Sequence, residues 1–143
     1  MVKLLPYKEF MQMYAKVPRI CIDLVIKNEK GIVFTKRDIP PFKGMWHMPG
    51  GTILIGETSQ QTAKRIAKHE TGLDVKIEKC LGIIEYKKLP KYGHAISIVY
   101  EVIPISGTLH GCKEGKEAEY YKKIPNRVIK DQKDFLKRKL KMK

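Results

Sequence analysis

The segment at residues 50–73, GGTILIGETSQQTAKRIAKHETGL, constrains the chain more than any other. Gly56-Glu57-Thr58-Ser59 signals a helix start, with Thr58 or Ser59 as N-cap. The predicted helix runs to Thr71, and Gly72 stands where a C′ glycine ends a helix. Helical periodicity puts Ala63, Ile66, Ala67 and Glu70 on one face, with His69 at its border. A carboxylate on an apolar face is costly to bury without a partner. A lysine or a turn could partner Glu70 structurally. A Mg²⁺ ion could partner it functionally, because this hard cation takes carboxylate, carbonyl and water oxygens. Gly50-Gly51 has no Cβ to keep a backbone carbonyl away from the same ion. Glu57, just ahead of the helix, complements its dipole.

The flanking sequence sets the architecture. Residues 7–16 form a short amphipathic pattern, read as an opening helix. Residues 20–37 read as a hairpin, two β-branched runs around the turn signal Asn28-Glu29-Lys30-Gly31. Residues 38–49, with Pro40, Pro41, Gly44 and Pro49, read as loop, and Ile53-Leu54-Ile55 is a short apolar run. Residues 73–88 and 94–105 are β-rich and split by a turn around Pro90 and Gly93. Residues 106–116 look like a loop, Glu119-Tyr120-Tyr121 a short strand, and the stretch from about Asn126 a helix anchored by Val128, Phe135 and Leu136. Strands outnumber helices without alternating with them, which predicts an α+β fold with a mixed β-sheet. The 143 residues suit one domain over 1–143.

Composition narrows the partners. Net charge is +14, and residues 122–143 hold ten Lys or Arg against two Asp. Such a field attracts anions, nucleotides and nucleic acid among them, although a solvated lysine-rich helix face accounts for it equally. Cys21, Cys80 and Cys112 are scattered and odd in number, which gives neither a zinc motif nor a disulfide framework and fits a reducing cytoplasm. No apolar stretch is long enough for a membrane span, and the N-terminus lacks a signal-peptide pattern.

Gly51, Glu57, Arg65, Glu70, Gly72 and Leu73 fall on the Nudix box with every spacing intact, and Trp46-His-Met-Pro49-Gly50-Gly51 resembles its usual lead-in. The chain therefore resembles the Nudix (MutT-like) hydrolases. The resemblance implies a Nudix fold, a mixed β-sheet sandwiched between α-helices, and Mg²⁺-dependent hydrolysis of nucleoside diphosphate derivatives, with Mn²⁺ as a second candidate cofactor. It also implies a Glu57–Arg65 salt bridge that orients the acidic cluster, with Gly51, Glu57, Arg65 and Gly72 as the structural frame. Two positions depart from the box, since Ile66 and His69 stand where glutamates are expected.

With Glu70 the one glutamate left in the stretch Arg65–Leu73, the pattern is similar to the GDP-mannose mannosyl hydrolase branch, over about 70 residues that include Val17–Asp23, Lys36-Arg37 and Gly44–Gly51. By that likeness Asp23 and Arg37 assist the leaving diphosphate, Gly50 and Glu70 hold the metal, and the opening helix exchanges across a homodimer. Attack at an acetal carbon needs leaving-group stabilisation more than many carboxylates. That branch also uses a glutamine-histidine pair near the last strand, whereas residues 110–121 here read HGCKEGKEAEYY. Glu114 and Glu117 are the alternative base or metal ligands, as in ordinary Nudix pyrophosphatases, and His110 is a weaker candidate. His69 is a ligand for a softer ion, a base, or a residue favoured by the helix dipole. Trp46, Tyr7 and Tyr14 either stack on a base or pack. Three functions follow in order: a nucleotide-sugar hydrolase, a pyrophosphohydrolase of ADP-ribose or nucleoside triphosphates, and a non-catalytic nucleotide or RNA binder.

Overall fold

The computed structural model describes residues 3–40, 42–89 and 93–143. Pro41 and the turn expected around Pro90 lie outside these residues. The element order is α1 (Tyr7–Tyr14), β1 (Arg19–Asn28), β2 (Gly31–Lys36), β3 (Trp46–His47), β4 (Gly50–Thr52), α2 (Ser59–Thr71), β5 (Leu73–Leu89), β6 (Gly93–Gly107), β7 (Glu117–Tyr121) and α3 (Lys130–Leu140).

β1 is the hub. Its run from Ile20 to Ile26 is mostly β-branched, and Cys21 through Ile26 are buried, as expected of a strand covered on both faces. It pairs in parallel with β6, Arg19 opposite Ala95 through Ile26 opposite Val102. It pairs antiparallel with β4 and, at its far end, with β2. β5 extends the sheet beyond β6, while β3 and β7 both pair with β2. The sheet is therefore mixed, as predicted.

The pleat of β1 divides the core. Ile22, Leu24 and Ile26 pack with Ala63, Ile66 and Ala67 of α2. Cys21 and Val25 pack on the opposite side with Phe135 and Leu136 of α3. Asp23 lies on the α3 side, between two apolar neighbours of that face. The sheet is thus sandwiched between helices.

Three boundaries differ from the sequence reading. Within the expected loop, Trp46 and His47 form β3 against Lys36 and Thr35. The glycine pair itself is strand, whereas Ile55 of the apolar run is fully exposed. α3 begins at Lys130, not near Asn126. Arg127 holds a left-handed φ of 62°, and Val128 forms a parallel bridge with Trp46. These contacts fix 126–129 as a turn followed by a β-bridge and bring α3 onto the sheet.

Candidate active site

The site is built around Gly50. Its N–H donates to Glu70 Oε2 at 2.9 Å, so the helix carboxylate faces the glycine backbone. In register, Gly50 lies opposite Asp23 of β1. A Cβ on Gly50 would overlap Asp23 Oδ1 and crowd the Ile22 carbonyl. Glycine is required here because two carboxylates approach one backbone position, Glu70 from the α2 side and Asp23 from the α3 side. Burial pushes the Glu70 carboxyl up to about 8, and Asp23 and Glu114 nearby push in the same direction. Arg37 and the Gly50 N–H oppose that shift.

Asp23 is held by a buried polar chain. Tyr86 Oη donates to Asp23 Oδ2 at 2.7 Å, and Gln132 Nε2 donates to Tyr86 Oη at 3.1 Å. The Met48 N–H closes the chain by donating to Gln132 Oε1 at 2.7 Å. Burial raises the Asp23 carboxyl to about 6, although the Tyr86 bond favours its charged form. Next to this chain, buried His47 bridges the Thr35 hydroxyl, at 3.1 Å, and the Met48 carbonyl, at 2.8 Å. Burial lowers it to about 4, which keeps the ring neutral. The Nδ1–H then donates to Met48 and Nε2 accepts from Thr35.

The frame of α2 is a second network. Thr58 is the N-cap and forms a reciprocal capping box with Gln61. Gly72 ends the helix at φ 75°. Arg65 binds both Glu57 oxygens, at 2.7 and 3.0 Å, and the Thr52 carbonyl at 3.0 Å. Glu57 also accepts from the Leu54 N–H and the Thr62 hydroxyl, and these partners hold its carboxyl below the usual range, Arg65 first. The box thus ties the helix to the β4 end. Ile66 is buried, with its Cδ1 3.3 Å from where a Gly51 Cβ would stand. It fills with hydrocarbon the space next to the glycine pair.

Asp23, Arg37, Gly50, Gly51 and Glu114 line one cavity of about 580 Å³, within the usual range for small-molecule sites. Its other walls include Leu4, Leu5, Tyr7, Phe10, Tyr86 and Gln132. Its lining combines apolar and aromatic side chains with two arginines, Arg19 and Arg37, and the carboxylates Asp23 and Glu114. Arg37 follows β2 and is steadied by the Ile39 and Pro40 carbonyls, at 3.3 Å each. Glu114 projects from the loop before β7, whose backbone is pinned by Asp38 N–H donating to the Glu114 carbonyl.

Four expected residues are placed elsewhere. Trp46 packs edge-on against Tyr121, with ring centroids 5.2 Å apart; this corrects its expected substrate contact to a packing role. Glu117 sits in β7 opposite Lys36 and pairs with its ammonium at 3.7 Å in solvent. It is not among the residues that line the cavity, whereas Glu114, the other late glutamate, is. His110 lies against Gly72 with Nδ1 on the Gly111 carbonyl at 2.7 Å, which makes it part of the helix-end packing and not a base in the cavity. Tyr14 stacks edge-on with Phe10 at 4.8 Å. His69 is exposed and 3.6 Å from Glu114. Tyr86, Gln132 and Cys112 were not anticipated. Gln132 carried a signal, since it interrupts the apolar anchors Val128, Phe135 and Leu136 of the C-terminal segment.

Fold and box together define a protein of the Nudix class. The family model described as NUDIX domain matches residues 17–139, and the chain belongs to that family. It is 36% identical over 104 residues to a Methanocaldococcus jannaschii protein named ADP-ribose pyrophosphatase, covering 73% of this chain and 62% of that one. It is 39% identical over 82 residues to the Haloferax volcanii low-salt glycan biosynthesis protein Agl8, covering 57% and 53%. The chain thus spans less than two thirds of either relative. Its fold is similar to a Francisella tularensis bifunctional NMN adenylyltransferase/ADP ribose pyrophosphatase solved with AMP and a Mn ion. That likeness has a TM-score of 0.76 at 19% identity and covers 94% of this chain and 45% of that one. No described helix is long and apolar enough to cross a membrane.

Proposed function

We propose that the protein is a divalent-cation-dependent pyrophosphohydrolase of nucleoside diphosphate derivatives of the ADP-ribose type. One observation carries this reading: Arg37 and Glu114 from the late loop line a cavity of nucleotide size and both act electrostatically on the Glu70 carboxyl, which is held at the Gly50 N–H on its wall. The M. jannaschii relative supports the substrate class. This reverses the order expected from the box alone, which put nucleotide-sugars first.

The residues fit a cation. Glu70 is a carboxylate whose charge is disfavoured by burial and by two acidic neighbours, and a bound cation would reverse that penalty. Glu70 and the Gly50 carbonyl would hold it, with Glu114 adding charge. Mg²⁺ or Mn²⁺ would supply Lewis-acid stabilisation of the diphosphate when bound. Arg37 would bind phosphate oxygens and stabilise charge developing on them. Asp23, near 6, is tuned to hold or accept a proton close to neutrality. Leu4, Leu5, Tyr7 and Phe10 offer an apolar, aromatic wall for a base.

A nucleotide-sugar hydrolase is the second reading, favoured by the glycan-biosynthesis relative and by a box helix that keeps only one of its three glutamates, Glu70. Turnover of ADP-ribose, GDP-mannose and dGTP in water enriched in heavy oxygen separates the two. Label on phosphate is expected, and label on the sugar would transfer the assignment to attack at carbon. Glu70→Gln should lower kcat by about 100-fold or more, beyond the loss seen when only a ligand's outer partners are changed. Turnover unaffected by that change, or no turnover of any of the three, would overturn the reading.

A further inference from the structure

The loop between β6 and β7 brings two side chains that pyrophosphate hydrolysis does not require, Cys112 and His69 of α2, up to Glu114. Cys112 Sγ donates to Glu114 Oε2 at 3.2 Å, and His69 Nε2 of α2 stands 3.6 Å from the same oxygen. The three ligand atoms lie within 4.8 Å of one another. Ligands around one tetrahedral ion stand roughly 3–4 Å apart, as bond lengths of about 2.0–2.3 Å dictate, so only small side-chain adjustments are needed.

The backbone presents this arrangement. Cys112 and Gly115 exchange N–H···O bonds at 2.9 and 3.3 Å, a tight turn that puts Cys112 and Glu114 at its two shoulders. A Cβ on Gly111 would collide with the Lys116 carbonyl, so the turn is closed around glycine. The loop is tied to its surroundings on both sides. The His110 N–H donates to the Thr71 carbonyl of α2, and the Lys116 N–H donates to Asp38 Oδ2 at 2.8 Å. The first tie fixes the loop to the helix end that carries His69.

We propose that His69, Cys112 and Glu114 form a binding site for a thiophilic divalent ion of the Zn²⁺ class, adjacent to the hard-cation position at Gly50 and Glu70 and sharing Glu114 with it. Thiolate, imidazole and carboxylate together select zinc-like ions over Mg²⁺, which favours oxygen alone. Three protein ligands leave a fourth position open. On binding, the Cys112 S–H bond breaks, a sulfur–metal bond forms, and the proton leaves to solvent. His69 binds as the neutral ring through Nε2. The box position that lost its glutamate to His69 has thus gained affinity for a softer ion. This goes beyond the hydrolase reading and holds whether attack is at carbon or at phosphorus.

The test is spectroscopic and independent of turnover. The chelator-treated full chain is titrated with Co²⁺, which takes zinc positions and gives a thiolate-to-cobalt charge-transfer band. A band saturating at one equivalent is expected, removed stoichiometrically by Zn²⁺ and untouched by excess Mg²⁺. Cys112→Ser and His69→Ala should each abolish it. Cys80→Ser, at the exposed thiol, and Glu70→Gln should retain it. The Glu70→Gln result also separates this site from the hydrolytic one. Absence of the band, or its survival in Cys112→Ser, would overturn the proposal. Matching unfolding midpoints of wild type and variants in chelator show that a lost band reflects lost ligands.

Discussion

Among single residues, His47 gives the clearest dependence on pH. Its ring titrates near 4 in the folded chain against 6.5 for a free histidine, because protonation would bury a charge. Between those values the unfolded chain binds the proton and the folded one does not. Stability from this group is therefore present above about 6.5 and is lost as pH falls toward 4, with a full extent of about 3 kcal/mol. Asp23 runs the other way, since its raised carboxyl costs stability as pH rises toward 6. A difference measurement isolates the histidine. In urea unfolding, the advantage of wild type over His47→Gln should shrink by about 2 kcal/mol from neutrality to about pH 5. An advantage that stays constant with pH would mean that the ring is solvated. Asp23 itself was legible as an acid inside an apolar strand. Its partners were not, because Tyr86 and Gln132 reach it only across the sheet and from the final helix.

At the level of elements, α2 was the most legible. Thr58, Gln61 and Gly72 are local signals, and local hydrogen bonds decide them. β4 and the start of α3 were misread because tertiary pairing fixed them: Gly50-Gly51 has no strand propensity of its own, and residues 126–129 are claimed by Trp46. The Arg65–Glu57 pair is what binds α2 to the β4 end. Glu57 is 3% exposed and Arg65 34%, so removing the arginine leaves a buried carboxylate without its main partner. Arg65→Ala should cost about 2–3 kcal/mol in urea unfolding, short of a fully buried pair because Arg65 is partly solvated. Arg65→Lys should recover only part, since an ammonium cannot span both oxygens and the Thr52 carbonyl. A loss under about 0.5 kcal/mol would reduce the pair to a surface contact.

Across the whole molecule, the positive field is the feature that composition predicted and the site can use. Lys133, Lys137 and Lys141 are exposed on or just after α3. They act at a distance on an anionic substrate, and salt screens that action. The triple change Lys133→Gln, Lys137→Gln, Lys141→Gln should lower kcat/KM for ADP-ribose a few-fold at low ionic strength and leave it unchanged at about 1 M salt, where the Debye length is about 3 Å. A loss that persists in high salt would indicate direct contact or misfolding.

The parallel pairing of β1 with β6 has a consequence for how the chain comes into being. Asp23 acquires its β-partner Val99 only after more than half the sequence has been synthesised, and its Gln132 support later still. On the ribosome the hub strand must therefore wait, shielded or chaperoned, for distant partners. Such non-local closure slows folding. The polar chain around Asp23 should therefore be among the last features to form, and refolding followed by hydrogen exchange should show protection at Asp23 lagging behind that of α2, whereas simultaneous protection would remove the lag.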